Sequence, residues 1–150
     1  TVVTKLLLQA LPDIAVFGEK DYQQLLVIKR FTTDLDIPAE IIGAPTIREE
    51  DGLALSSRNI YLDPKSRSIA PSMYRILNQH ASNISNGSDI NKSLKLARQN
   101  MHDLGFDKID YLDLRNSQTL EACSDLKQPS RLFAAAWLGS TRLIDNLAIT

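Results

Sequence analysis

Apolar residues recur at helical spacing from Val2 to Ala10, and Pro12 with Asp13 stops the run. The stretch that follows, DIAVFG (Asp13–Gly18), is short, apolar and ended by glycine, which predicts a strand buried on both faces in a parallel sheet. In DYQQLLVIKRFTTDLDI, Leu25, Leu26, Ile28, Lys29, Phe31 and Leu35 return at helical intervals behind Asp21, the natural N-cap. AEIIGAP (Ala39–Pro45) reads as a second strand. Helix, strand, helix, strand is the pattern of an α/β layer.

Pro45 and the polar TIREEDG mark a change of region. Beyond a serine-containing loop, DPKSRSIAPSMYRILNQHASNI predicts a helix begun at Asp63 and Pro64 and broken or re-capped at Pro71. DINKSLKLARQNMHDLGF is a cleaner helix, with Ile90, Leu94, Leu96, Ala97, Met101 and Leu104 expected on its apolar side and Gly105 at its stop. KIDYLDLRN alternates polar with apolar residues, as a half-buried strand does, and RLFAAAWLGSTRLIDNLAI reads as a hairpin turning at Gly139 and Ser140. The chain is thus expected to hold an α/β layer over residues 1–45 and an α+β unit over residues 46–150, with helices on a small antiparallel sheet. Internal repeats and low-complexity segments are lacking.

Composition narrows the function classes. With 150 residues, 43% of them hydrophobic, the chain has apolar surface for a core in one or two small domains. A formal net charge of -1 and a pI near 6.1 argue against a protein that coats nucleic acid or an anionic membrane, so any phosphate site must be local. Cys123 is the only cysteine, which excludes an internal disulfide and a multi-cysteine metal site and fits a reducing cytosol. Lys5, Gln9, Pro12 and Asp13 interrupt the most apolar stretch, so neither a membrane span nor a signal peptide is expected. A soluble, cytoplasmic protein follows. The chain opens on Thr1, inside what already reads as a helix, and is expected to be cut from something longer.

Two constellations could carry chemistry. FGEKDYQQ (Phe17–Gln24) lies at the C-terminal end of the first strand, where open parallel sheets bind ligands and free helix N–H groups attract anions. There Gly18 would let a ligand approach the backbone, Lys20 would meet phosphate, Asp21 could accept from a ribose hydroxyl, and Gln24 offers an amide donor and acceptor. Equally open is a structural account, in which Gly18 turns the chain, Asp21 caps the helix and Lys20 is solvated. In DGLALSSRN (Asp51–Asn59), Ser56 and Ser57 supply hydroxyls and N–H groups, Arg58 a guanidinium fork suited to phosphate oxygens, and Gly52 a hinge. The plainer alternative is an exposed loop whose serines cap a turn. His80 and His102 are read as surface histidines and Glu49–Asp51 as a solvated acidic patch. Trp137 and Phe133 are read as core. No Ser, His and Asp triad is present to defend, and no metal site is expected.

At these constellations the sequence resembles the pantothenate synthetases, the pantoate:β-alanine ligases of vitamin B5 synthesis. DIAVFGEKDYQQL, DGLALSSRNIYL and AAAWLGSTRLIDN each look like stretches of that family, in order and at the right spacing, over effectively the whole chain. The resemblance implies a nucleotidyl-transferase fold. Residues 1–45 would be the C-terminal piece of a Rossmann-like domain, and 46–150 a C-terminal lid domain carrying a KMSKS-like loop. It implies that pantoate attacks Mg-ATP to give pantoyl adenylate and pyrophosphate, and that β-alanine then captures the acyl group to give pantothenate and AMP. By similarity, Lys20, Ser56, Ser57 and Arg58 fall where the family contacts ATP phosphates, Gly18 and Asp21 where ribose is held, Gln24 where pantoate is bound, and Ile47 and Leu55 beside the adenine.

The family's His-x-Gly-His motif and its early pantoate-binding glutamine and asparagine have no counterpart here. The chain is therefore expected to be the C-terminal half of such an enzyme, inactive without the N-terminal half through which the parent homodimer forms. Alternatives are another nucleotidyl transferase of the same superfamily, acting on a different acid or alcohol, and a stand-alone binding module derived from the lid.

Overall fold

The structure, a computed structural model, describes residues 2–149; Thr1 and Thr150 lie outside the described residues. The chain divides into two compact units, Thr1–Thr46 and Ile47–Thr150.

The first unit runs α1 (Val2–Ala10), β1 (Ile14–Gly18), a 3-10 turn (Glu19–Asp21), α2 (Tyr22–Asp34) and β2 (Glu40–Ala44). The strands pair in parallel, Ile14 opposite Glu40 through Gly18 opposite Ala44. Because parallel strands cannot be joined by a tight turn, α2 makes the crossover, and Leu25 and Ile28 are its buried face. Gly43 permits the close approach: a Cβ there would lie 2.8 Å from Leu25 Cδ2 and 3.2 Å from Glu19 Oε1. The helices and strands fall where the apolar spacing puts them, but the expected two-sided burial of β1 does not hold. Ile14 is 54% and Val16 62% exposed, because the described sheet has only two strands and covers one face.

The second unit contains a 3-10 turn (Ser57–Tyr61), α3 (Pro64–Ile69), α4 (Ser72–Ser85), α5 (Ile90–Asp103), β3 (Lys108–Asn116), β4 (Ser130–Leu138) and β5 (Thr141–Ile149). Sequence-local chemistry sets the helix starts. Asp63 Oδ1 accepts from Ser66 N at 2.9 Å with Pro64 in the first turn, and Asp89 Oδ1 accepts from Lys92 N at 2.7 Å. Pro71 separates α3 from α4. The three strands are antiparallel in the order β3-β4-β5, so β4 is central and nearly all of it is buried. Leu132, Ala134, Ala136 and Leu138 of β4 join Leu112, Leu114 and Leu143 in a core completed by Met73, Ile76, Leu77 and Ile84 of α4, Met101 of α5, and Phe106.

Three expectations are corrected here. Leu96 and Leu104 are 53% and 46% exposed, off the buried stripe of Leu94, Ala97 and Met101. His80 is not a surface residue but is fully buried between α4 and α5, with Nδ1 2.8 Å from Ser93 Oγ and Nε2 3.3 Å from Asn100 Nδ2. Trp137 is half-buried rather than core. Among the described residues, no helix is long and apolar enough to cross a membrane.

Candidate functional site

The end of β1 and the start of α2 hold one set of candidate residues. Gly18 has φ -69°, an ordinary angle for any residue, and a Cβ built on it would meet nothing within 4 Å. Neither turning nor packing therefore requires glycine there, which leaves the open backbone as its distinguishing property. Lys20 and Asp21 sit in the 3-10 turn with Nζ 3.9 Å from Oδ2, and the Lys20 side chain is only 15% exposed. Asp21 occupies the N-cap position of α2 but its carboxylate makes no capping hydrogen bond, so the structural role expected of it is not filled. Gln24 is exposed in the first turn of α2.

The serine loop, in the second unit, is built from the residues that precede it. Ile47 and Leu55 close its base through a 2.9 Å backbone bond from Leu55 N to Ile47 O, and both side chains are exposed. Between them Arg48 bridges to Ala54, and Gly52 turns the chain at φ +94°, where a Cβ would lie 3.0 Å from Tyr74 Cδ1. Two arginines fix this turn. Arg48 donates to Asp145 of β5 through Nη1 at 2.6 Å and Nη2 at 2.9 Å, donates to Gly52 O at 3.1 Å, and stacks over Tyr74 with Cζ 3.5 Å from the ring centroid. Arg67 of α3 reaches both Glu49 and Asp51, and Asn59 Nδ2 donates to Glu49 Oε1 at 2.9 Å. Glu49 and Asp51 are thus tied into the frame while Glu50 between them stays exposed, so the solvated-patch reading holds for Glu50 alone; the Arg67 guanidinium holds the Asp51 carboxyl below the usual carboxylate range.

On this frame Ser56, Ser57 and Arg58 are adjacent. Ser56 Oγ accepts from Arg58 N at 3.2 Å and so caps the 3-10 turn, as the plainer account supposed. Ser57 and Arg58 are exposed, and no hydrogen bond to Ser57 Oγ or the Arg58 guanidinium occurs among the described residues. Hydroxyl and guanidinium donors left uncommitted on a fixed turn suit an anion with several oxygens. Among the described residues no group of three or more His, Cys, Asp and Glu side chains could hold a metal ion.

Arg48, Arg67, Tyr74 and Asp145 form the frame, and nothing in the local motif points to them. One sign was available: on β5, Thr141, Leu143, Asp145, Leu147 and Ile149 alternate onto one face, and the carboxylate interrupts that row.

A family model described as Pantoate-beta-alanine ligase matches residues 1–148. The pantothenate synthetase of Rhodospirillum rubrum is 53% identical over 150 residues, covering 99% of this chain and 53% of the relative. That of Paramagnetospirillum magneticum is 52% identical over 149 residues, covering 99% of this chain and 52% of the relative. The crystal structure of pantothenate synthetase from Thermus thermophilus superposes with a TM-score of 0.94 at 43% identity, over 99% of this chain and 54% of that one. The pantoate-beta-alanine ligase of Francisella tularensis, complexed with beta-gamma ATP and beta-alanine, gives a TM-score of 0.74 at 34% identity over 98% and 48%. The chain spans about half the length of the curated relatives it matches. A Rossmann-like α/β piece followed by an α+β unit with a clamped serine loop, matched along nearly its whole length, makes this chain a member of the pantoate-beta-alanine ligase family.

Proposed function

We propose that the chain supplies the phosphate-handling part of an ATP-dependent ligase that joins pantoate to β-alanine through a pantoyl adenylate. The observation that carries this reading is the contrast at the serine loop. Its frame is fixed by Arg48 and Arg67, whereas Ser57 Oγ and the Arg58 guanidinium have no partner among the described residues. Adenylyl transfer asks for charge placement and not for a protein nucleophile, and such donors on a rigid turn are the expected inventory.

A pantoate carboxylate oxygen bonds to the α-phosphorus, the bond to the bridging oxygen of the β-phosphate breaks, and pyrophosphate leaves. The β-alanine amine then attacks the acyl carbon, loses a proton and displaces AMP. Lys20, Ser57 and Arg58 balance phosphate charge in the first step, with Ser56 shaping the turn. Gly18 and Asp21 hold the ribose, Ile47 and Leu55 flank the adenine, and Gln24 hydrogen-bonds pantoate. The ligands named for the Francisella relative support ATP and β-alanine as substrates. With no carboxylate cluster placed for it among the described residues, Mg2+ would be held by the triphosphate oxygens. The setting is cytoplasmic. The rest of the relatives' length completes the site, and the assembled enzyme is a homodimer.

The test is D-pantoate-dependent exchange of labelled pyrophosphate into ATP, with this chain alone and with the complementary half of the Rhodospirillum relative added. Exchange is expected only in the mixture. Exchange by the chain alone would show a complete site within it, and exchange driven by another acid in place of pantoate would move the assignment to a different transferase.

A further inference from the structure

Asn86 is followed by Gly87, and no other asparagine in the chain precedes a glycine. The pair ends α4. Asn86 is the C-cap residue, with φ -83° and ψ 14°, and Gly87 turns back at φ +88°, a conformation that L side chains resist. Both residues are exposed, and a Cβ built on Gly87 would meet nothing within 4 Å, so the junction is open to solvent. Among the described residues the Asn86 carboxamide has a single long contact, from Nδ2 to Ser82 Oγ at 3.4 Å. Other asparagines are placed differently. Asn116, which precedes the small Ser117, is 8% exposed; its Oδ1 accepts from Gln118 N and Thr119 N, and its Nδ2 donates to Gln128. Asn78, Asn83 and Asn91 lie inside helices, before the larger Gln79, Ile84 and Lys92.

We propose that Asn86 is a site of spontaneous deamidation, with water as the co-reactant and the frayed end of α4 as the reactive state. The Gly87 nitrogen gives its proton to hydroxide and bonds to Asn86 Cγ, the Cγ–Nδ2 bond breaks, and ammonia leaves with a proton from water. Water then opens the five-membered imide at one carbonyl or the other, leaving aspartate or isoaspartate at position 86. Nothing is oxidised or reduced. Glycine favours the closure because no side chain crowds the attacking nitrogen. The folded cap holds the reaction back. Gly87 N donates to Ile84 O at 3.0 Å and Ser88 N to Asn83 O at 3.0 Å, and ring closure needs rotation about the Asn86 Cα–C bond away from ψ 14°. Both bonds belong to the last turn of α4, which opens without unfolding the core. The products keep it open, because a carboxylate at position 86 stands on the negative end of the helix dipole and isoaspartate inserts a methylene into the backbone of the cap. They also bring a negative charge to the cavity of about 380 Å³ that Asn86 shares with Asn78, Ser82 and the Leu147–Ile149 end of β5.

Trypsin releases residues 76–92 as one peptide that carries Asn78, Asn83, Asn86 and Asn91 together, so the neighbouring asparagines serve as internal controls. The intact chain is incubated at neutral and at mildly alkaline pH, digested, and the peptide sequenced by mass spectrometry. The mass gain of NH2 exchanged for OH is expected at residue 86 well before the other three, in both aspartate and isoaspartate forms, the latter labelled by protein isoaspartyl methyltransferase. Its rate should rise about tenfold per pH unit, as hydroxide does, and about threefold or more when the chain is unfolded in urea. Asn86→Gln, whose longer side chain closes a larger ring far more slowly, should leave residues 76–92 unmodified over the same period. Modification spread evenly over the four asparagines, none at residue 86, or aspartate without isoaspartate would overturn the proposal. Equal rates in the folded and the urea-unfolded chain would overturn the part assigned to the cap.

Discussion

Asp145 shows how much one side chain can organise. It stands in a strand row that otherwise faces the core, 4% exposed, and its bidentate pairing with Arg48 offsets the cost of burying both charges. Removing either partner strands the other. Asp145→Asn or Arg48→Met is therefore expected to lower unfolding stability by about 3 kcal/mol in urea denaturation, whereas the double substitution Arg48→Met with Asp145→Leu recovers a good part of it. Single variants within about 0.5 kcal/mol of the parent would mean that the pair is solvated in solution. Local pattern could not name Arg48 as the partner, since the two residues are 97 apart in sequence. The break in the apolar row was visible all the same, and Asp21, Ser56 and Arg58 could be placed in turns because each lies in a contiguous polar stretch.

At the scale of elements, local signals worked well and facing surfaces did not. Asp63 with Pro64, Asp89, Pro71 and the Gly139–Ser140 turn all mark their boundaries as the residues suggest, because caps and turns are set within a few residues. Which histidine is inside depends on what packs on α4, and His80 is covered by α5. Burial lowers its pKa from the ordinary value of 6.5, so the folded state holds it neutral while the unfolded chain binds a proton near 6.5. The sign follows. Stability from this group is complete above pH 6.5 and falls as pH drops below it towards the folded pKa. Thermal midpoints are expected to decline as pH falls from about 6.5 to 5.5, and less steeply in His80→Gln; equal slopes would assign the decline to other groups.

For the whole molecule, the two units differ in how much apolar surface they hide. The second has a continuous core, whereas the first leaves Val2, Leu6, Leu11, Ile14, Val16 and Val27 more than half exposed around a two-stranded sheet. Two strands have few neighbours to share their hydrogen bonds, so the first unit is expected to open more readily. Hydrogen exchange should show the β1 and β2 amides exchanging faster than those of β4, and equal protection in a monomer would contradict it. The α/β and α+β classes were readable from periodicity. The poor cover of β1 was not, because an apolar run looks the same whether its neighbours are present or absent.

The Arg48–Asp145 pair also sets an order of events during biosynthesis. Arg48 leaves the ribosome 97 residues before its acceptor. At roughly 5–20 residues per second this interval is on the order of ten seconds. Until β5 is made, the Ile47–Leu55 turn lacks its main anchor, so the serine loop is held in the shape seen here only after Asp145 has been added.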